Sequence, residues 1–381
     1  MLLLFLTGVS QATSLSVLYD NTTQRLKRVY DVNPEKLQNN ADAINHWLQG
    51  PASLQLIALP SQEQGGTDEF EVGVFLPFRS LAARELDNQQ LALTEAFDIA
   101  RDKRFSLMTS GLVREALWRR LVARAQVDGL QAKQVWIESL DTLILQLQKT
   151  GELDQAAFLR WQQEKLTQQL ALRKAHISLE RAQLHYRRVM GTDELPEQTT
   201  EALSDRLDEK LQAHPELKLL LISQSQLDLN LTQSDQSLSP WTLGLIARQL
   251  RGPTGSENLV GVSINIPLSD GTPVSNYASW KEAHNTLNHA LAETYTTLQL
   301  QLSEALQEVD YLSEALLVLE QQVNLGEEIT ALYQKQKDAL PKTFWLEQLI
   351  AQQDLKLDFA MYKVRYAEAI SKVNQVAGVT L

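Results

Sequence analysis

Apolar positions along this chain obey one of two periods, and the change from one to the other is abrupt. From Val260 onward, Val260, Val262, Ile264 and Ile266 fall on one side and Gly261, Ser263 and Asn265 on the other. That alternation marks a half-buried strand, and Pro267, which cannot donate to a ladder, closes it. After Pro273 the period becomes helical. Leu287, Leu291, Leu298, Leu302, Val309, Leu312, Leu316, Leu319 and Val323 follow at steps of three, four and seven, a seam at the spacing that winds helices together. No proline falls between Pro273 and Pro341, so this helix is free to run for roughly 65 residues, or about 100 Å.

The same succession occurs earlier. Asn33-Pro34-Glu35 starts a helix that Gly50-Pro51 ends. A strand over 53–59 follows, then a polar loop containing Gly65-Gly66, then a second strand over 70–78. From Ser80 to Arg188 there is no proline, and Leu112, Ala116, Leu121, Ala125, Leu140, Ile144 and Leu147 recur at helical spacing. Two turn signals compete inside that span, Asp128-Gly129 and Thr150-Gly151-Glu152-Leu153. Helical spacing resumes directly after Gly129, so the turn is placed at 150–154, and Gly191 is the expected C-cap of the returning helix. The second copy opens at His214-Pro215-Glu216-Leu217, has strands over 241–249 and 259–268, and turns near 338–342. Equivalent features lie roughly 180 to 190 residues apart, which reads as duplication of one unit. Residues 13–192 form the first repeat and 193–381 the second. Residues 1–12 are read as an export signal: Leu2 to Val9 is apolar, and Ser10-Gln11-Ala12 suits signal peptidase, though no basic segment precedes it.

Composition narrows the partners. A net charge of −12 over 381 residues argues against nucleic acid, because phosphate binding needs clustered Lys and Arg. The basic residues at Arg101–Arg104 and Arg114–Arg124 sit among acids and read as solvated helix faces. There is no cysteine, hence no disulfide, thiolate metal site or cysteine nucleophile. No apolar run reaches membrane-helix length, so any membrane crossing must be made by strands.

With both copies laid out, the sequence resembles the TolC-like outer-membrane efflux proteins. The resemblance rests on Asn33-Pro34-Glu35 and His214-Pro215-Glu216-Leu217, on the strands ending at Pro77-Phe78 and Pro267-Leu268, and on the two proline-free hairpins. Trp47-Leu48-Gln49-Gly50-Pro51 resembles the heavy-metal branch of that family. The resemblance implies a mainly α fold with a small β part, in which duplicated long helical hairpins build a coiled-coil tunnel. Four short strands per chain would enter a trimeric 12-stranded outer-membrane barrel, an even strand number that suits such barrels. It further implies a homotrimer in outer-membrane lipid, a large periplasmic portion, a periplasmic adaptor and an inner-membrane pump as partners, and passive efflux gated at the helix tips. By position those tips are Thr150, Gly151, Glu152 and Leu153 in the first repeat and Asp338, Ala339, Leu340 and Pro341 in the second. Asp338 and Glu347 are the nearest candidates for an acidic gate ring, a pairing of these acids with Lys335, Lys337 or Lys342 being the rival. Trp47 and Trp241 are candidates for an interfacial aromatic girdle, while Trp345 reads as packing.

Enzymatic chemistry finds no foothold. His284 and His289 are five apart and lie on different helix faces, Gly252 to Glu257 lacks the Gly-Lys-Ser/Thr of a phosphate loop, and no Gly-x-Ser-x-Gly elbow occurs. No catalytic residue, metal or cofactor is expected. The alternative from another class is a periplasmic coiled-coil scaffold or adaptor whose ribbons never enter the membrane. Adaptors, however, have one hairpin, and this chain has two.

Overall fold

The computed structural model describes residues 14–30, 48, 50–79, 81–235, 241–266, 275–335 and 342–381. The export signal at 1–12, the helix expected from Asn33 to Trp47, and the second tip at 338–341 lie outside the described residues. In chain order the elements are α1 (Leu15–Tyr30), β1 (Ser53–Leu59), β2 (Asp68–Phe78), α2 (Leu81–Lys149), α3 (Gln155–Met190), α4 (Leu207–Gln212), α5 (Pro215–Asp235), β3 (Trp241–Gly252), β4 (Gly255–Asn265), α6 (Ser275–Lys335) and α7 (Lys342–Val376). The chain is therefore mainly helical, with a strand pair ahead of each long hairpin. It divides into two compact units, one containing Lys103–Pro215 and Tyr295–Leu381 with the first helix, the other Asp31–Asp102 and Glu216–Thr294.

The helical unit is held together by apolar clusters that step along α2. Val113, Ala116 and Leu117 meet Tyr19 of α1 and Tyr186 and Met190 of α3. Val127 and Leu130 meet Ala175, with Leu357 of α7 packed against them. Ile137 and Ile144 meet Leu153, Ala157, Trp161 and Leu346. Helix α2 runs unbroken through Asp128-Gly129. The glycine there packs against α7: a Cβ on Gly129 would lie 2.3 Å from the Leu357 Cδ1, so that side chain would have to turn aside to admit it. On α6 the seam read from the sequence is the buried one, with Leu298, Leu302, Val309 and Leu312 all inside, joined by Ala305.

One part of this unit departs from the sequence expectation. Arg114, expected on a solvated face, is buried, and its guanidinium is clamped by Glu201 at 2.6 and 2.9 Å. Glu201 sits in the polar connection between the repeats, so the partner that draws Arg114 inward is remote in sequence. Arg120 of the same run lies over the Tyr186 ring at 4.7 Å.

The second unit contains one antiparallel sheet, ordered β1-β2-β3-β4. Each ribbon is a local hairpin. The two ribbons join through β2 and β3, with Val72 opposite Ala247 and Phe78 opposite Trp241. β3 and β4 extend further toward each other than the Gly/Pro-rich stretch suggests. They pair as far as Gly252 opposite Gly255, leaving only Pro253-Thr254 as the turn. Pro253 presets the φ that the turn needs, and Gly255 takes φ 136°, a value that favours glycine.

Candidate functional site

The register sorts the sheet's side chains into two unlike faces. Leu54 and Leu56 of β1 share a face with Phe70, Val72, Val74 and Leu76 of β2, Leu243, Leu245 and Ala247 of β3, and Val260, Val262 and Ile264 of β4. Among the described residues nothing covers it: Val260 is 86% exposed, Leu56 69% and Val262 67%. In water, contiguous apolar surface of this kind marks a partner or a membrane. Phe78 and Trp241 end the face on the helix side, and Gln249, Asn258 and the Asp68–Arg251 pair end it on the hairpin side. The opposite face is mixed. Thr242, Ser263 and Asn265 lie toward the helix side, Phe75 packs over Gly73 and Gly244, and Glu69, Glu71, Arg248 and Glu257 lie toward the hairpins. β1 and β4 are the sheet's edges.

At the first tip, α2 ends at Lys149 and α3 begins at Gln155. The N–H groups of Glu152 and Leu153 both donate to the Leu147 carbonyl at 3.0 Å. Asp154 caps α3 by accepting from the Ala157 N–H at 2.7 Å. Thr150, Gly151 and Glu152 are exposed, whereas Leu153 is buried against Ile144, Ala157 and Trp161. The four candidate tip residues thus divide: three form the surface of the turn, and the fourth anchors it. Of the second tip, Asp338, Ala339, Leu340 and Pro341 lie outside the described residues. Glu347 is described, and its carboxylate accepts from Arg160 of α3 at 2.5 Å. Trp345 packs against the cluster at the first tip, as its reading as packing implies.

Behind the tip, Lys133 was not singled out from the sequence. Its ammonium donates to Glu164 of α3 at 2.7 Å and to Asp354 of α7 at 2.6 Å, and so joins three helices. Burial disfavours its charge, but the hydrogen bonds and charges of Asp354 and Glu164 outweigh burial and hold its pKa above the ordinary lysine value. Only the Lys133 side chain is well buried, both carboxylates keeping contact with water. A lone lysine on a long helix gives no local signal of such a role.

The remaining candidates are structural. His284 is held between Gln224 and Asn288 at 2.8 and 3.0 Å. Among the described residues no group of three or more His, Cys, Asp or Glu side chains is placed to hold a metal, and no helix is long and apolar enough to cross a membrane.

Neither family models nor curated proteins match the sequence. Solved structures match the fold. The MtrE outer membrane channel of Neisseria gonorrhoeae, in its open state, aligns with a TM-score of 0.68 and 14% identity over 96% of this chain and 89% of that one. The outer membrane protein VceC of Vibrio cholerae aligns at 0.65, with 13% identity and 96% of both chains covered. CusC, described for transmembrane channel formation, aligns at 0.65 with 12% identity over 96% and 92%. This chain has the TolC-like outer-membrane channel fold. Such low identity conveys architecture alone.

Proposed function

We propose that this protein is the outer-membrane channel of a tripartite export system, a passive conduit from periplasm to exterior that works with a periplasmic adaptor and an inner-membrane pump. The observation that supports this most is the four-stranded sheet, apolar on one face, mixed on the other and unclosed at both edges. Lipid leaves no edge group unpaired without large cost, so a sheet with two free edges must close on further copies. Three copies give twelve strands. β2, β3 and β4 reach the nine to eleven residues a tilted crossing requires. β1 has only seven, and the isolated pairing of Leu48 with Phe78 resumes its edge beyond Gly50-Pro51.

The helices support the same assembly. On α3, Leu159, Leu166, Leu170, Ile177 and Leu184 form an exposed stripe opposite the buried stripe of Trp161, Gln168, Ala175 and Ala182. On α6, Leu300, Tyr311, Val318, Leu325 and Ile329 are exposed beside the buried seam. A helix with two apolar stripes at heptad spacing buries one within its own chain and offers the other to a neighbour. A scaffold or adaptor that stays in the periplasm gives the apolar sheet face no role.

The direct test is electrophoresis of isolated outer membranes with and without boiling. A heat-sensitive trimer is expected; a soluble periplasmic monomer or dimer would replace the channel with a scaffold. Leu166→Asp combined with Leu170→Asp is expected to abolish the trimer band while leaving the helical content of the chain intact. Adaptor contact and gating are assigned to Thr150, Gly151 and Glu152 with Leu153 as anchor, to Asp338, Ala339, Leu340 and Pro341, and an acidic ring to Asp338 and Glu347. Deleting Asp338 to Pro341 should abolish export with membrane insertion unchanged, and undiminished export would remove the tip from the mechanism.

A further inference from the structure

Every charge on the mixed face of the sheet lies in two adjacent register rows at the hairpin end. One row aligns Leu59, Glu69, Leu250 and Glu257, the next Ile57, Glu71, Arg248 and Leu259. The rows nearer the helices contain none, being built from Gln55, Gly73, Ile246, Gly261, Ser53, Phe75, Gly244, Ser263, Thr242 and Asn265. The guanidinium of Arg248 is clasped from two sides, by Glu69 at 3.0 Å and by Glu71 at 2.6 and 2.9 Å. Glu71 is itself 8% exposed, so this is a built ion pair and not a chance meeting of long side chains. Glu257, across the sheet, is exposed and makes no ion pair among the described residues.

We infer that this band sets the charge preference of the pore's outer mouth, with Glu69, Glu71 and Glu257 favouring cations and Arg248 limiting how strongly they do so. The inference rests on the closed barrel proposed above, in which the mixed face lines the bore. Three carboxylates against one guanidinium leave two negative charges per chain in a single ring, repeated by each copy. A wall of one sign attracts counter-ions and repels co-ions. The hairpins cannot mask it. The turn between β3 and β4 is Pro253-Thr254, and the loop between β1 and β2 is folded on itself, the Ser61 N–H donating to Asp68 at 2.8 Å. Beyond the band the hairpin loops add one charge, Glu63 between β1 and β2, of the same sign as the band's excess. The clamp has a second effect: by seating a cation of the protein's own between Glu69 and Glu71, it denies that place to a metal ion.

The purified trimer reconstituted in planar bilayers under a KCl gradient tests this, with the dilute solution near 0.01 M, where the Debye length is about 30 Å. Wild-type protein that forms no conductance would overturn the channel itself, and this inference with it. Given conductance, the reversal potential should show cation preference. It should shift toward anions in Glu257→Gln, further in Glu257→Lys, and toward cations in Arg248→Gln. Each shift should be larger when the dilute solution bathes the hairpin side, a sidedness that a purely structural role would not produce. Glu257 has no packing role to lose, so its variants fold if the wild type does, and the heat-sensitive trimer band checks Arg248→Gln. Reversal potentials unchanged in the Glu257 variants overturn the inference while leaving the channel standing.

Discussion

A Glu201→Ala variant is expected to lose about 3–5 kcal/mol of stability, the usual cost of leaving one partner of a buried pair alone. Arg114 would be stranded. Its guanidinium reaches Ser110, Gln375 and the Val379 carbonyl at 2.6 to 2.9 Å, all neutral acceptors, while among the described residues Glu201 supplies the only opposite charge it touches. Glu201 also receives Ser371 at 2.7 Å and Asn374 at 3.1 Å, so its loss releases the end of α7 from the connection between the repeats. Denaturant midpoints of the detergent-solubilised protein measure the effect. Removing both charges, as Arg114→Met with Glu201→Leu, should restore much of the loss, because no uncompensated ion remains. A double variant as unstable as the single one would show that shape, not charge pairing, governs the site. The pH dependence has a definite sign. Burial raises the Glu201 pKa, but Arg114, Ser371 and Asn374 lower it more, so the folded value lies below the unfolded one. The pair therefore contributes fully above the unfolded value and is lost as pH falls through the folded one, an acid sensitivity that Glu201→Ala should lack.

Replacing Lys133 by methionine is expected to unlatch α7 from the first hairpin. Stability should fall by about 1–3 kcal/mol, less than at Glu201, because both carboxylates keep access to water. The larger effect should be on gating. With Lys133 gone, Glu164 and Asp354 lose their shared cation, and the ammonium of α2 that ties α3 to α7 is lost. Resting conductance in planar bilayers should rise several-fold, with trimer assembly unchanged. Loss of stability without change in conductance would reduce Lys133 to a packing element. Acid should not mimic the substitution through this lysine. Its folded pKa lies above the unfolded one, so its contribution is complete at neutral pH and is lost only as pH rises through the folded value.

The periods that betray the fold were legible because each is a local property. Alternation at Val260–Ile264 and the seam from Leu298 to Leu312 needed only neighbours a few residues away; the seam is buried as read, whereas the alternating strand keeps its two faces but is exposed rather than half-buried. Asp128-Gly129 competes as a turn signal because glycine's two uses, bending a chain and packing closely against another, share one letter; the helical spacing that resumes after Gly129 decides between them correctly. The charge pairs were illegible for a different reason. Arg114 finds Glu201, and Lys133 finds Asp354, only after α7 has folded back along α2, so nothing near either basic residue distinguishes it from the solvated ones around it. The division of the tip into an exposed turn and a buried Leu153 likewise depends on Trp161 and Leu346, neither of which adjoins it in sequence.

The pairing of β2 with β3 imposes an order on biogenesis. Val72 cannot meet Ala247 until the whole first hairpin and the connection after it have been made. Before then each ribbon is a lone two-stranded hairpin, marginal by itself in water, with apolar side chains already displayed. Contacts this distant close slowly, while helices form in microseconds. The helical hairpins are thus the early folded part and the sheet the late one. During that delay the chain displays unpaired strand edges, the surface through which separate copies most readily associate out of register.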